Sequence, residues 1–271
     1  MRALGIDRLG TFGMPPIEFV TLAADLGCQS VGIGLAPTPG YNPDGHRDWS
    51  LRDDAGLRRD TIAACRDKGI VIGMVEGFAV LPGKDMGDFA GDLDLIAELG
   101  SERVAVVSIG KDMNQAIDGF GLLAELAGER GLKVSAEMGS LGPIDRVAPT
   151  LEVVRSVARP NFSLLIDSMH FFRLGNTLTD LAALDPALIG YVQLADAPWA
   201  SRFETYLEEA MYERMVPGEG ELPLAEFLAL IPEGPIISHE IPIRSLADQG
   251  IGPYERTRRC IDATRRLLAD H

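Results

Sequence analysis

Short apolar runs alternate with amphipathic stretches along this chain from end to end. The runs are ALGID (3–7), QSVGIGL (29–35), GIVIGMVEGF (69–78), RVAVVSI (103–109), LKVSAE (132–137), FSLLID (162–167), ALIGYVQL (187–194) and GPIISHEI (234–241). Each is short and rich in Val, Ile or Leu, as expected of strands buried on both faces. Helical spacing follows over 15–26, 54–68, 88–99, 112–130, 146–158, 177–184 and 253–269, and Gly27, Gly100 and Gly131 supply stop signals for three of these segments. A further stretch between Asp196 and Pro217 sets Phe203, Tyr206, Leu207, Ala210 and Met211 on one helical face. It predicts a helical insertion after strand seven, packed on the barrel or serving as a lid.

Eight strand-like segments alternating with eight helical ones predict parallel βαβ units closed into a single (β/α)8 barrel over residues 1–271. An open doubly wound sheet would carry a Gly-rich phosphate turn after its first strand, and IDRLGTFG is not that fingerprint. The chain shows no internal repeat and no low-complexity tract.

Charge narrows the partners. Twenty-five Lys and Arg stand against 40 Asp and Glu, a formal net charge of −15, spread along the whole chain. Such a surface repels phosphate backbones and acidic headgroups, which argues against nucleic acid and membrane partners. Cys28, Cys65 and Cys260 are far apart and odd in number, which speaks against a disulfide framework and fits a reducing cytoplasm. The opening MRALGIDRLGTFGMPP is too interrupted by Gly and Pro for a secretory signal.

Four of the apolar runs stop on a residue that can bind a hard cation: KVSAE at Glu137, FSLLID at Asp167, IGYVQ at Gln193 and PIISHE at Glu240. The C-terminal ends of barrel strands converge at one mouth. Alternation puts Ser135, Leu165, Tyr191 and Ser238 in the inner layer beneath these four, and turns Ala136, Ile166, Val192 and His239 toward the outer helices. A lone carboxylate at a strand end is often only the cap of the next helix. Three gathered at one mouth repel one another unless a cation is present, so the set reads as a metal site. Its oxygen donors suit Mg²⁺ or Mn²⁺ first, with Co²⁺ or Zn²⁺ as further options. Glu76, ending MVEGF, is placed to touch a substrate or orient a ligand, and His46 and His271 carry no signal.

These motifs resemble the xylose isomerase-like TIM-barrel superfamily, which includes sugar phosphate isomerases and epimerases, ketose 3-epimerases, hydroxypyruvate isomerase and 3-dehydroshikimate dehydratase. The matching residues are Glu137 in KVSAEMG, Asp167 and His170 in the D-x-x-H of LIDSMH, Gln193 in YVQLADAP, Glu240 in ISHEIP and Arg214 ahead of P-G-E-G in RMVPGEGELPL. The resemblance implies that Glu137, Asp167, Gln193 and Glu240 hold a divalent metal and that Glu137 and Glu240 act as acid and base. By the same resemblance, His170 and Arg214 bind substrate oxygens. It implies an isomerase or epimerase of a sugar or small hydroxy-ketone working through an enediolate, with a lyase of the 3-dehydroshikimate dehydratase type as the alternative. Homodimers or homotetramers are common in such a family. Its DNA-cleaving branch needs a basic groove and more His ligands than the four His of this acidic chain. No Gly-rich phosphate nest is apparent beyond Gly218 and Gly220 of the P-G-E-G turn, so an unphosphorylated substrate is expected.

Overall fold

In the computed structural model, which describes residues 2–269, eight parallel strands close on themselves in sequence order. They are β1 (Leu4–Asp7), β2 (Ser30–Ile33), β3 (Val71–Val80), β4 (Arg103–Ser108), β5 (Lys133–Glu137), β6 (Phe162–Asp167), β7 (Ile189–Leu194) and β8 (Ile237–His239). β8 pairs with β1 to complete the ring. The chain forms the expected (β/α)8 barrel. His271 lies outside the described residues.

Two apolar clusters follow from the pleat. Met74, Ala105, Leu165 and Tyr191 fill the barrel interior, with Ile236 packed against them. Ala136, Ile166 and Val192 belong instead to the larger cluster between strands and helices. The inward register inferred from alternation is therefore the register observed, and it turns every residue two positions beyond the inner layer into the mouth. His239 faces outward as well. Its Nδ1 meets the Gly5 carbonyl at 2.8 Å, and its Nε2 meets the Thr264 hydroxyl of the last helix at 2.7 Å. A carbonyl only accepts, so the proton sits on Nδ1 and Nε2 accepts from Thr264.

The departures are local. Three helices were not expected: Ser168–Arg173, Leu224–Leu230 and Arg244–Asp248. β8 is shorter than the apolar run around it, because Pro235 and Pro242 flank it and cannot donate to a ladder. The stretch between β7 and β8 forms a helix over Tyr206–Tyr212, with the Thr205 hydroxyl capping the Glu208 amide. Phe203 precedes that cap and so lies off the helix whose face it was expected to share. Among the described residues, no helix is long and apolar enough to cross a membrane.

Candidate active site

Six polar side chains collect at the C-terminal mouth: Asp7 ending β1, Glu76 on β3, Glu137 ending β5, Asp167 ending β6, Gln193 on β7 and Glu240 directly after β8. Register fixes their heights, with Asp167 opposite Gln193 and Gln193 opposite Ser238.

Asp167 has two jobs. Its Oδ1 accepts from the His170 backbone amide at 2.8 Å and caps the helix Ser168–Arg173, while its Oδ2 accepts from Arg214 Nη1 at 2.6 Å. Asp167 thus caps a helix with one oxygen and pairs with Arg214 through the other. Arg214 Nη2 donates at 2.8 Å to Glu240 Oε2, so a single buried guanidinium ties β6 to the residue after β8. The loop carrying Arg214 is anchored by Asp196, whose carboxylate accepts from the amides of Ala197, Gly218, Gly220 and Leu222. Of the P-G-E-G turn, the two glycine amides are thus already satisfied by an internal carboxylate, and the Glu219 amide by the Val216 carbonyl.

Gln193 is held by its nitrogen. Nε2 donates to Asp7 Oδ2 at 3.0 Å and to Glu76 Oε1 at 3.2 Å, which sets the amide orientation. Its Oε1 is then buried with no hydrogen-bond partner. Asp7 also accepts from Tyr191 at 3.0 Å and from Ser238 at 2.6 Å, while Glu76 pairs with Arg8 at 3.0 Å. Asp7 and Arg8 were not singled out from the sequence. ALGID ends on a carboxylate as three of the four chosen runs do, and that was the available signal. Glu76, expected to touch substrate or orient a ligand, contacts Gln193 and Arg8.

His170 completes the mouth. Its Nε2 lies 3.2 Å from Glu137 Oε1, and its Nδ1 meets the Tyr206 hydroxyl. One potential ligand atom from each of Glu137, Asp167 and His170 lies within 4.8 Å of the other two. Glu137, His170, Arg214 and Glu240 all face one cavity of about 230 Å³, and Tyr206, Leu207, Ala210 and Met211 of the helix Tyr206–Tyr212 form part of its wall. That helix is tied down by Glu209, which pairs with Arg173 at 2.7 Å with both side chains buried, and by Glu208, which pairs with Arg244 at 3.0 Å.

The electrostatics call for positive charge. Burial and the nearby Glu240 push the Asp7 carboxyl up to about 7. Burial raises Glu76 to about 7 against the pull of Arg8, with Asp7 and Glu137 adding to the rise. Burial raises Glu240 to about 8 despite Arg214, with Glu76, Glu137 and Asp167 repelling its charge. Burial acts on Asp167 too, but Arg214 and His170 outweigh it and hold that carboxyl below its usual range. Desolvation opposes charge on His170, and Asp167 and Glu137 overcome it, so its pKa is raised. Crowded carboxyls that resist ionisation, next to an orphaned amide oxygen, are what a divalent cation relieves. Glu137, Asp167 and His170, with ligand atoms within 4.8 Å of one another, could hold such an ion.

A model of the xylose isomerase-like TIM barrel family matches residues 20–266. The chain is 30% identical over 190 residues to a 3-dehydroshikimate dehydratase of Pseudomonas putida, and 30% identical over 187 residues to one of Pseudomonas aeruginosa. These matches take in 65% and 64% of this chain but only 30% and 29% of those proteins, so the chain spans under a third of the curated relatives it matches. A solved xylose isomerase-like TIM barrel/4-hydroxyphenylpyruvate dioxygenase fusion protein is similar at a TM-score of 0.77 and 26% identity, covering 98% of this chain and 42% of that one. The IOLI protein, solved with a zinc atom, is similar in fold at a TM-score of 0.78 and 18% identity, covering 100% of this chain and 99% of that one. The chain belongs to the xylose isomerase-like TIM-barrel family.

Proposed function

We propose that this protein is a divalent-metal-dependent isomerase or epimerase of a sugar or small hydroxy-ketone, with Glu137 and Glu240 exchanging protons with the carbon next to the substrate carbonyl. The observation that carries this reading is that the two glutamates come from β5 and from the end of β8, well apart around the barrel, yet line one cavity. One carboxylate can remove a proton from one face of a carbon while the other returns a proton to the opposite face. In this reading His170 exchanges one of its present contacts to donate to a substrate oxygen, and Arg214 holds another while keeping Asp167 and Glu240 in position. Glu137, Asp167, Gln193 and Glu240 would hold the ion. Mn²⁺ or Mg²⁺ is favoured by the oxygen donors, and Co²⁺ or Zn²⁺ is compatible with them. When bound, the ion would polarise the carbonyl and its neighbouring hydroxyl and so stabilise the enediolate.

A second reading is dehydration, favoured by the two dehydratases among the relatives. There the base removes the same proton, and a β-hydroxyl leaves with a proton from His170 or the second glutamate. We further propose a small-molecule substrate without phosphate, a cytoplasmic location, no nucleic acid or membrane partner, and a homodimer or homotetramer.

Incubation of Mn²⁺-supplemented protein with ketoses, hydroxy-ketones and 3-dehydroshikimate in D₂O tests both readings. Deuterium entering an isomeric product, and lost in Glu137→Gln and Glu240→Gln, supports the first. Loss of water supports the second. No exchange and no product from any of these substrates contradicts both.

A further inference from the structure

Two unlike sets of side chains line the cavity. One carries the reacting groups Glu137, His170, Arg214 and Glu240. The other consists of Leu9, Val107, Leu141, Leu207 and Met211, none of them fully buried; the remaining hydroxyls of the lining are those of Ser108, Ser140 and Tyr206, the last already held by His170. Leu141 and Leu207 are 46% and 51% exposed at the rim, although the chain has few exposed large apolar side chains. Ser108 Oγ is buried without a partner.

We infer that the substrate pairs one compact polar end, the carbonyl with its adjacent hydroxyl, with a hydrocarbon chain or ring that lies on this apolar wall. The inference rests on the hydroxy-ketone reading above and chooses within it against polyhydroxylated sugars. A ketohexose placed here would bring several more hydroxyls against leucine, valine and methionine. Each hydroxyl left without a partner costs about tenfold in affinity, and two serines cannot satisfy them all. Volume bounds the occupant. At about 30 Å³ per displaced water, a cavity of about 230 Å³ holds the equivalent of seven or eight waters, on the order of ten heavy atoms. Four of these form the polar end. That leaves room for a chain or ring of about four to six carbons.

The test measures binding to Mn²⁺-supplemented protein by calorimetry for hydroxyacetone, 1-hydroxy-2-hexanone, 2-hydroxycyclohexanone and D-fructose. Each buried methylene strengthens binding by about threefold to fourfold. The six-carbon ketones should therefore bind tenfold or more tightly than hydroxyacetone, and D-fructose no better than hydroxyacetone. Leu141→Asn and Leu207→Asn, at exposed positions where folding tolerates a polar residue, should shrink the hexanone-to-hydroxyacetone ratio. D-fructose binding as tightly as 1-hydroxy-2-hexanone overturns the inference, as does a ratio unchanged in both variants. No binding of any probe, hydroxyacetone included, strikes at the hydroxy-ketone reading itself, and the inference falls with it.

Discussion

Asp7 holds Gln193 by the nitrogen of its amide, at 3.0 Å across the barrel mouth, and thereby leaves the amide oxygen buried with no hydrogen-bond partner. The residue that sets the orientation lies 186 positions from the one that is oriented. Groups that orient a metal ligand from behind typically contribute 10–100-fold to metal affinity. Asp7→Asn removes the charge and lets the amide of Gln193 turn over. Mn²⁺ affinity, followed by isothermal titration, should fall at least tenfold although every donor remains. An unchanged affinity would show that Gln193 needs no such support.

Gly32 is a glycine because Asp7 occupies the space. A Cβ added there would sit 2.0 Å from Asp7 Oδ1 and 2.8 Å from its Cγ. Gly32→Ala must displace the carboxylate, an overpacking that costs about 1–3 kcal/mol. Urea denaturation should show that loss, with Mn²⁺ affinity falling alongside it. A variant as stable as the parent contradicts the tight fit.

Much of this arrangement could be read from the residues beforehand. Alternation of apolar runs with helical spacing was enough for the barrel, because strands buried on both faces leave a continuous Val/Ile/Leu signature. Asp167 and Gln193 were legible for the same reason, as polar residues closing such runs. Asp7 closes one as well, but its contribution depends on a proton donor on β7, and pairing across a barrel leaves no local trace. The helices Ser168–Arg173 and Arg244–Asp248 are six and five residues long, too short to show a period of 3.6. Phe203 has the right spacing for the helical face, yet Thr205 caps the helix after it, and the cap decides where the helix begins.

The wall of the cavity depends on a buried ion pair. Arg173 and Glu209 meet at 2.7 Å with 6% and 2% side-chain exposure, and Arg173 also donates to the Pro198 carbonyl at 2.7 Å. Arg173→Ala leaves Glu209 buried and uncompensated, at a cost of about 3–5 kcal/mol. Amide exchange over 206–212 should accelerate well beyond the rest of the barrel. Exchange unchanged over that helix would show that apolar packing alone holds it.

His239 makes stability depend on pH. Burial drives its pKa down to about 4 from an ordinary 6.5, against the hydrogen bond to Gly5. Between those values the unfolded chain binds a proton that the folded protein refuses. The stabilisation is complete above pH 6.5 and is lost as pH falls toward 4, by about 3 kcal/mol over the whole window. His239→Gln has no such proton to bind. The difference in unfolding free energy between parent and variant should therefore shrink steadily from pH 7 to pH 4.5. A constant difference would place the ring's titration elsewhere.

The divalent ion proposed for the mouth can be weighed directly through metal content. Protein purified without chelator and supplemented with Mn²⁺ is desalted and analysed by mass spectrometry beside Asp167→Asn, which keeps an oxygen to cap the helix Ser168–Arg173 but loses the charge. About one equivalent of divalent ion in the parent, falling below a tenth in the variant, is the predicted result. A parent that retains no ion after excess Mn²⁺, or a variant that retains as much as the parent, contradicts it.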